Sequence, residues 1–401
     1  MHYHPPQELL EKYAAVLVNC ALGGGTGMKA GEVVLLQVPE CAKPMLVALQ
    51  KAVLKAGGHY ITQFLPDGTE RAFFEQANET QLTFFPEVLL KGRIDQIDHS
   101  VFIIAEHDKK ELEGIVPEKI MCKSKAFKPY MEWREAKENA GQFTWTLALY
   151  GTEAAAREAG LSLEAYWDEI IRACYLDDLD PVQRWKDSMA EVIRVRDALN
   201  ALQIEKVHVE AEGVDLWVQL GAHRIWMGGS GRNIPSFEVF ISPDWRGTEG
   251  SIAFDQPLYR YGSLVESIRL VFKAGEVVEA IARTGQEVLK AMIASDAGSS
   301  RVGEFSLTDI RLSRITKFMA TTLFDENFGG EWGNTHIALG NAYKDSYPGD
   351  ASTISKEQWQ TLGYNESAVH TDIVSTRNRI VTAFLPDGTS RIIYRDGRFC
   401  L

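Results

Sequence analysis

The first 180 residues alternate between segments of helical spacing and short apolar runs. Residues 5–18 and 43–58 carry apolar side chains at steps of three and four, which predicts two helices, the second ended by glycines. Four apolar runs predict strands, and these are residues 32–39, 59–66, 101–108 and 142–150. Strands alternating with helices are typical of βαβ units, so this part predicts an α/β domain with a mostly parallel sheet.

The pattern changes in the remainder of the chain. Residues 161–176 and 181–202 have helical spacing. Beyond them, short alternating runs joined by turn residues predict strands, with helices only around residues 284–295 and 308–323. We therefore expect an N-terminal α/β domain over residues 1–183, followed by an α+β metal-binding catalytic domain over residues 184–401.

Two short motifs have ordinary turn explanations. The hexapeptide FLPDGT occurs at residues 64–69 and again at 384–389, and Pro-Asp-Gly after an apolar run is common turn chemistry. The repeat therefore favours a recurring strand-turn solution over duplicated domains. The stretch GGGTG at residues 23–27 follows a predicted helix and lacks the context of a phosphate loop, so it predicts a helix C-cap and loop.

Charge and cysteine usage narrow the class of protein. The 401 residues carry a formal net charge of −13, which argues against nucleic acid and anionic membrane surfaces as partners and suits a protein that holds cations. The five cysteines are scattered without any C-x-x-C pair, as expected for reduced thiols. The N-terminal residues lack the apolar region of a signal peptide, and the longest uncharged stretch, residues 13–28, is too short to span a bilayer. We expect a cytoplasmic protein.

Candidate chemistry is concentrated in the C-terminal half. Residues 365–372, NESAVHTD, place His370 and Asp372 two positions apart, and in a strand such side chains project from the same face. Glu238 and Glu304 each interrupt an otherwise apolar segment, and a buried carboxylate is costly unless it is paired or bound to metal. A glycine-rich segment between residues 323 and 343 adds Glu326, Glu331, His336 and Tyr343.

Each of these motifs alone is compatible with an ion pair or a cap. Together they provide two imidazoles and several carboxylates without any thiolate, which is the ligand inventory of a site for divalent metal ions. The isolated histidines elsewhere in the chain are more typical of structural roles.

Several of these segments, in the same order, resemble the aminopeptidase T / aminopeptidase S family of dinuclear metallo-aminopeptidases. The resemblance covers most of the chain and is sharpest from residue 233 onward. The matching motifs are Asn233 to Phe240 (NIPSFEVF), Gly303–Glu304, Thr322 to Asn327 (TLFDEN), His336 to Tyr343 (HIALGNAY), and His370 to Asp372 (HTD).

This resemblance implies roles for individual residues. The family's metal ligands fall on Glu238, Glu304, His336, His370 and Asp372, and its catalytic tyrosine falls on Tyr343. A further ligand in the family is a glutamate five residues before the first histidine, within the DEN motif. Here the DEN glutamate, Glu326, lies ten residues before His336, whereas Glu331 lies five residues before it. On spacing we prefer Glu331 as this ligand.

The resemblance also implies a function. We expect an aminopeptidase that releases N-terminal residues from short peptides with a free N-terminus, uses two divalent metal ions to activate water, and forms a homodimer. Zinc is the expected ion, with cobalt or manganese also compatible. Glu304, or the glutamate at position 326 or 331, would accept the proton of the water, and Tyr343 would donate a hydrogen bond to the oxyanion.

Two alternatives stay open on the sequence alone. Proteins on the same scaffold resemble mononuclear non-haem iron dioxygenases that open hydroxylated pyridine rings, and His336, His370 and Asp372 would also satisfy their two-histidine, one-carboxylate set. The chain could also be an inactive homologue that binds metal without catalysis. The number and identity of the bound metal ions distinguish these three functions.

Overall fold

The computed structural model describes residues 3–260 and 263–401. The backbone divides into two compact units: Met1–Lys186 with Ser230–Ile234, and Asp187–Gly229 with Pro235–Leu401. The boundary after residue 183 stays a prediction of where independently folding domains meet. Within the described ranges, no helix has both the length and the apolar character needed to cross a membrane.

The chain contains many short strands and fewer helices. The strands are Val33–Pro39 (β1), His59–Leu65 (β2), His99–Ile104 (β3), Thr144–Leu149 (β4), Lys206–Ala211 (β5), Val214–Gln219 (β6), Asn233–Ile234 (β7), Glu238–Ile241 (β8), Glu249–Ala253 (β9), Leu258–Arg260 (β10), Ser263–Val265 (β11), Arg269–Lys273 (β12), Glu276–Ile281 (β13), Val302–Thr308 (β14), Asn334–Gly340 (β15), His370–Ser375 (β16), Arg379–Phe384 (β17), Ser390–Arg395 (β18) and Arg398–Phe399 (β19).

The helices lie mainly in the first half of the chain. They are Gln7–Val16 (α1), Lys43–Lys55 (α2), Thr69–Gln76 (α3), Glu79–Leu82 (α4), Glu87–Gln96 (α5), Pro117–Ala126 (α6), Lys128–Asn139 (α7), Glu153–Glu158 (α8), Leu163–Ala173 (α9), Pro181–Ala201 (α10), Gln286–Ile293 (α11), Thr322–Asp325 (α12) and Lys356–Thr361 (α13).

The first unit is built around a five-stranded parallel sheet in the order β2-β1-β3-β4-β7. Val34, Leu35 and Leu36 of β1 are all buried, as is typical of a parallel strand covered on both faces. Met45 and Leu49 on one side of the amphipathic helix α2 are also fully buried. The prediction of an α/β domain with a mostly parallel sheet is confirmed.

The second unit is mostly antiparallel. An eight-stranded sheet has the order β13-β12-β9-β6-β5-β17-β18-β19, a four-stranded sheet has the order β16-β15-β14-β8, and β10 pairs with β11. This arrangement confirms the predicted α+β class. Every residue of β14 and of β15 is buried, so the polar side chains of these two strands lie in the protein interior.

The helix predicted around residues 308–323 is wrong. Strand β14 extends through Thr308, and the chain then forms turns and irregular backbone until α12 begins at Thr322. The carboxylate of Asp309, which is 1% exposed, accepts hydrogen bonds from the backbone N–H groups of Arg311 (2.9 Å) and Phe399 (3.0 Å). These hydrogen bonds stabilise a turn after β14, and they outweigh the weak helical spacing of the apolar residues in this segment.

The two FLPDGT segments form different connections. At residues 66–68 the turn leads from the parallel strand β2 into helix α3, with Gly68 at a φ of 72°. At residues 386–388 it closes the hairpin between β17 and β18, where the Leu385 N–H donates to the Thr389 carbonyl at 2.9 Å. The repeat therefore provides a turn in two unrelated contexts.

Candidate metal centre

The four-stranded sheet presents the chemistry-bearing side chains on one face. Ala338 of β15 lies directly between Glu304 of β14 and Asp372 of β16 in the ladder. Two residues before Ala338 in β15, His336 lies opposite Ser306 of β14. Side chains opposite each other or two apart on one face are near neighbours. The small residues Ala338 and Ser306 leave room in which the larger polar side chains converge.

The side-chain atoms lie close together. His336 Nε2 is 3.0 Å from Glu304 Oε1 and 3.2 Å from Glu238 Oε2. His370 Nε2 is 3.4 Å from Asp372 Oδ1 and 3.8 Å from Glu304 Oε2. Two groups of potential ligand atoms result, Glu238/Glu304/His336 and Glu304/His370/Asp372, and the atoms within each group lie within 4.8 Å of one another. Glu304 belongs to both groups.

Both imidazoles are oriented by backbone carbonyls. His336 Nδ1 donates to the carbonyl of Glu326 at 3.0 Å, and His370 Nδ1 donates to the carbonyl of Asn341 at 2.7 Å. A carbonyl only accepts hydrogen bonds, so in each ring the proton must be on Nδ1. The Nε2 atoms therefore face the carboxylates and are available to coordinate a cation, as in metal sites whose histidines are held by a second hydrogen bond.

The carboxylates of this site are buried beside one another. Glu304 is 3% exposed, and Glu238 and Glu326 are each 8% exposed. Burial and the negative charge of Glu238 raise the pKa of Glu304 to about 7, against the opposing effect of His336. Burial, with the charges of Glu238 and Asp372, also raises the pKa of Glu326 well above its usual range. The site thus concentrates negative charge in a desolvated environment.

The imidazoles respond to the same charges. Burial alone lowers the pKa of His370, but the charges of Asp372 and Glu304 outweigh it and raise the pKa to about 9. For His336, too, hydrogen bonds to Glu238 and Glu304 outweigh burial and raise the pKa well above the usual value. Burial would raise the pKa of Asp372, yet the neighbouring His370 lowers it to about 2. Without a cation, protons on the imidazoles supply the countercharge.

Tyr343 lies at the edge of this group. Its ring centroid is 4.7 Å from that of His370 and 5.9 Å from that of Phe240. Its backbone N–H donates to Ser242 Oγ at 2.8 Å, which fixes the position of the residue. Desolvation and the negative charges of Glu304 and Asp372 raise the pKa of Tyr343, so its phenol keeps its proton and remains a hydrogen-bond donor.

The structure separates the two glutamates that the sequence left in competition. Glu326 is buried, and its carboxylate experiences the charges of Glu238, Asp372, His336 and Glu304. Glu331 is exposed, on the turn at residues 330–332 that precedes β15. We therefore define the carboxylate cluster as Glu238, Glu304, Glu326, His336, His370 and Asp372, with Tyr343 beside it. The structure does not bring Glu331 into this cluster.

Supporting residues that the sequence did not indicate hold Glu238. Ser306 Oγ donates to Glu238 Oε2 at 3.2 Å, and Ser236 Oγ donates to Glu238 Oε1 at 3.4 Å. Ser306 lies two positions after Glu304 in β14, and Ser236 lies two positions before Glu238. Same-face spacing along β14 is the signal by which Ser306 was recognisable in the sequence, whereas Ser236 precedes β8 and had no such signal.

Comparison with known proteins agrees with this geometry. Residues 6–399 match the family described as thermophilic metalloprotease (M29). The chain belongs to this family. The predicted family resemblance and the prediction of a metal-dependent hydrolase are thereby confirmed.

Individual relatives match over nearly their full length. Aminopeptidase PepS of Streptococcus thermophilus is 27% identical over 420 residues, covering 98% of both chains. Aminopeptidase T of Thermus thermophilus is 29% identical over 410 residues, covering 96% of this chain and 97% of that protein. The solved structure of wild-type AmpT from Thermus thermophilus matches with a TM-score of 0.84 at 26% identity, covering 98% of this chain and all (100%) of that one.

The residues present fit the metal that the family implies. Each group combines an imidazole Nε2 with carboxylate oxygens, and no cysteine of the described residues belongs to either group. Nitrogen and oxygen ligands without thiolate suit zinc, cobalt and manganese. Because Nδ1 of each imidazole already donates to a carbonyl, coordination through Nε2 requires no rearrangement of the rings.

Proposed function

We propose that the protein is an aminopeptidase that releases N-terminal residues from short peptides with two divalent metal ions held in the carboxylate cluster. The observation that carries this proposal is the pair of adjacent ligand groups sharing Glu304, in which both imidazoles present Nε2 to the carboxylates. The relatives at 27% and 29% identity are named aminopeptidases, which supports the substrate class.

The proposed ligands follow the two groups. Glu238, Glu304 and His336 would hold one ion, and Glu304, His370 and Asp372 would hold the other. Glu326 replaces Glu331 as the additional ligand in our proposal, because only Glu326 is buried beside the other carboxylates. Divalent ions in such sites lower the pKa of bound water and polarise the scissile carbonyl. Zinc, cobalt and manganese all suit the ligands.

The chain's own groups would move the protons and stabilise charge. Glu304 belongs to both ligand groups and therefore lies where the proposed ions would activate water, so we propose its carboxylate as the acceptor of the proton from water. Tyr343 keeps its phenolic proton and would donate a hydrogen bond to the oxyanion of the tetrahedral intermediate. The Phe240 ring beside Tyr343 helps to define its orientation.

The ring-opening dioxygenase alternative is not favoured. His336, His370 and Asp372 would suffice for a single iron, but Glu238 and Glu304 belong to the same ligand groups, and Glu326 is buried within reach of their charges. Three further buried carboxylates have no role in a two-histidine, one-carboxylate site. The names of the relatives also point to peptide hydrolysis.

Metal analysis combined with an activity assay tests the proposal. We expect two equivalents of divalent metal per chain, and hydrolysis of aminoacyl-anilides and dipeptides that stops after treatment with a strong chelator. Activity should return with zinc, cobalt or manganese. Hydrolysis that persists in protein shown by elemental analysis to be metal-free would refute the mechanism.

Assembly and location belong to the same proposal. Phe84, Val88 and Leu89 expose 68%, 89% and 70% of their surfaces, and such apolar side chains favour self-association. We therefore propose a homodimer, which size-exclusion chromatography with light scattering would test. None of the five cysteines, all of which lie within the described residues, forms a disulfide, which suits a reducing cytoplasm.

A further inference from the structure

A cavity of about 410 Å³ lies in the first unit, and the proposed peptidase chemistry does not use it. Its volume is in the range of sites for small molecules. Side chains from four segments of the chain line it, including Cys41, His107, Tyr150, Arg157, Leu163 and Trp167. We call it the sheet-edge cavity.

The position of this cavity in the fold is one at which parallel sheets bind ligands. The strand order β2-β1-β3-β4 shows that the chain places β2 on one side of β1 and then β3 on the other. In open parallel sheets, ligands bind outside the carboxyl ends of the strands where the winding reverses in this way. Cys41 follows β1 and His107 follows β3, and both line the cavity.

One wall of the cavity is apolar and firmly held. The rings of Tyr150 and Trp167 pack edge to face with centroids 5.0 Å apart, and Trp167 Nε1 donates to the carbonyl of Gly151 at 3.1 Å. A Cβ atom at Gly151 would lie 2.9 Å from Trp167 Nε1, so glycine is needed for this close approach. Leu163 adds further apolar surface. Trp167 is fully buried and supports this wall, so the apolar surface that faces the cavity comes from Tyr150 and Leu163.

The rim carries charges of both signs. Arg157 is exposed and takes part in no ion pair with any residue that the structure describes. Glu153 lies on the same rim. Asp67 does not line the cavity itself but contacts two residues that do: its Oδ2 is 3.9 Å from His107 Nδ1, and its carboxylate accepts a hydrogen bond from the thiol of Cys41. A ligand that places a negative group on one side and a positive group on the other would match this rim.

Cys41 does not make this a nucleophilic site. Burial, reinforced by the charge of Asp67, raises the pKa of the Cys41 thiol to about 12. The residue is therefore a protonated thiol at neutral pH, whereas a nucleophilic cysteine is a thiolate. The cavity, its apolar wall and its charged rim therefore indicate a binding site and not a catalytic one.

We propose that the sheet-edge cavity binds a free α-amino acid with an apolar side chain. The carboxylate of the amino acid pairs with Arg157, its ammonium group lies on the side of Glu153 and His107, and its side chain packs against Tyr150 and Leu163. The proposal does not depend on the metal centre. If the protein is an aminopeptidase, the ligand belongs to the same chemical class as its product.

Isothermal titration calorimetry with L-leucine and L-phenylalanine on the full-length, metal-loaded protein tests the proposal. We expect saturable binding that weakens at least about tenfold in Arg157→Ala, because a charge-assisted hydrogen bond is lost. Arg283→Ala, which removes an exposed arginine of the second unit, is the matched control and should bind like the wild type. Unchanged metal content in both variants shows that they are folded.

Ligand analogues and a cluster variant make the result decisive. N-acetyl-leucine lacks the ammonium group and leucinamide lacks the carboxylate, so both should bind more weakly than leucine. Binding of leucine should survive Glu304→Gln, which leaves the sheet-edge cavity intact. Absence of saturable binding to the wild type would overturn the proposal. So would binding that is lost in Glu304→Gln and unaffected in Arg157→Ala, since the amino acid would then occupy the carboxylate cluster.

Discussion

The carboxylate cluster and the sheet-edge cavity differ in where they hold their charged groups. Most of the cluster projects from neighbouring strands of an antiparallel sheet, and Glu326 follows α12. Its buried carboxylates, those of Glu238, Glu304 and Glu326, lie with Asp372 near two imidazoles. The cavity is lined by residues that follow parallel strands and by helices α8 and α9, and its charged groups stay at an exposed rim around an apolar wall. Regular strands thus fix ligand atoms to one another, whereas the mixed lining of the cavity surrounds a space.

This difference indicates what each region binds. An excess of buried negative charge is costly unless a cation balances it, so the cluster requires a charge from outside the chain. The cavity has rim charges of both signs and needs no countercharge, so it suits a ligand that is itself zwitterionic. Substitutions that remove a charge should therefore change metal binding and catalysis in the first region, and only small-molecule binding in the second.

The largest effect is expected for Glu238→Gln and Glu304→Gln. Each substitution keeps the shape of the side chain but removes a negative charge at the proposed ions. Loss of about 3 kcal/mol of transition-state stabilisation would reduce kcat/KM on a dipeptide more than about 100-fold. Glu331→Gln, at an exposed position, is the matched control. Rates near those of the wild type in both cluster variants, measured at saturating metal, would exclude the two-metal site.

The next largest effect separates Glu326 from Glu331. Glu326→Ala removes a buried carboxylate beside the cluster and should weaken metal binding at least about tenfold, with a matching loss of activity. Glu331→Ala removes an exposed side chain and should leave metal content and kcat/KM unchanged. Metal stoichiometry by mass spectrometry, together with initial rates, measures both. The reverse order of effects would restore the spacing argument for Glu331.

The same pair of glutamates shows where reasoning from the sequence stops. Spacing from His336 favours Glu331, but distance along the chain equals distance in space only within one regular element. Between Glu326 and His336 the backbone forms a loop, because Asn334 Nδ2 donates to the carbonyls of Glu326 (3.0 Å) and Phe328 (2.7 Å). These side-chain bonds keep Glu326 beside the strand and leave Glu331 on the outer turn. No periodicity in the sequence encodes such a closure.

The regular elements were more predictable than the connections. The parallel sheet follows from apolar runs such as residues 32–39, and same-face spacing correctly placed His370 and Asp372 side by side in β16. The apolar pattern does not predict helices α6 and α7, since α7 has no buried residue and α6 shows little apolar periodicity. The segment after β14 forms a loop because Asp309 accepts a hydrogen bond from the N–H of Phe399, 90 residues away, and no local pattern in the sequence reports such a contact.

A smaller effect is expected when pH changes the competition between protons and metal. In the metal-free protein the pKa of His370 is raised to about 9 and that of His336 is also raised, so both imidazoles carry protons at neutral pH. Coordination through Nε2 must release these protons. Metal affinity should therefore rise with pH up to about 9, well above the range set by an unperturbed histidine. Competitive titration with a chelating dye between pH 6 and 9 measures this slope, and an affinity independent of pH would contradict it.

The smallest effect concerns the stability of the metal-free fold. The pKa of Glu304 is raised from 4.5 to about 7, so ionisation of this buried carboxyl destabilises the fold as pH rises through that range. His370 acts in the same direction, because its stabilising contribution is complete below 6.5 and is lost as pH rises through about 9. Asp372, with a pKa lowered to about 2, contributes a constant amount above pH 4. The Tm of metal-free protein should therefore fall on the order of 5 °C between pH 5.5 and 9, and bound metal should reduce the fall.

Glu304→Gln should flatten the slope of Tm against pH below pH 7, while Glu331→Gln should follow the wild type. If calorimetry gave the same pH dependence of Tm for Glu304→Gln and for the wild type, ionisation of Glu304 would not destabilise the fold. The cluster would then lack the excess of negative charge that distinguishes it from the sheet-edge cavity.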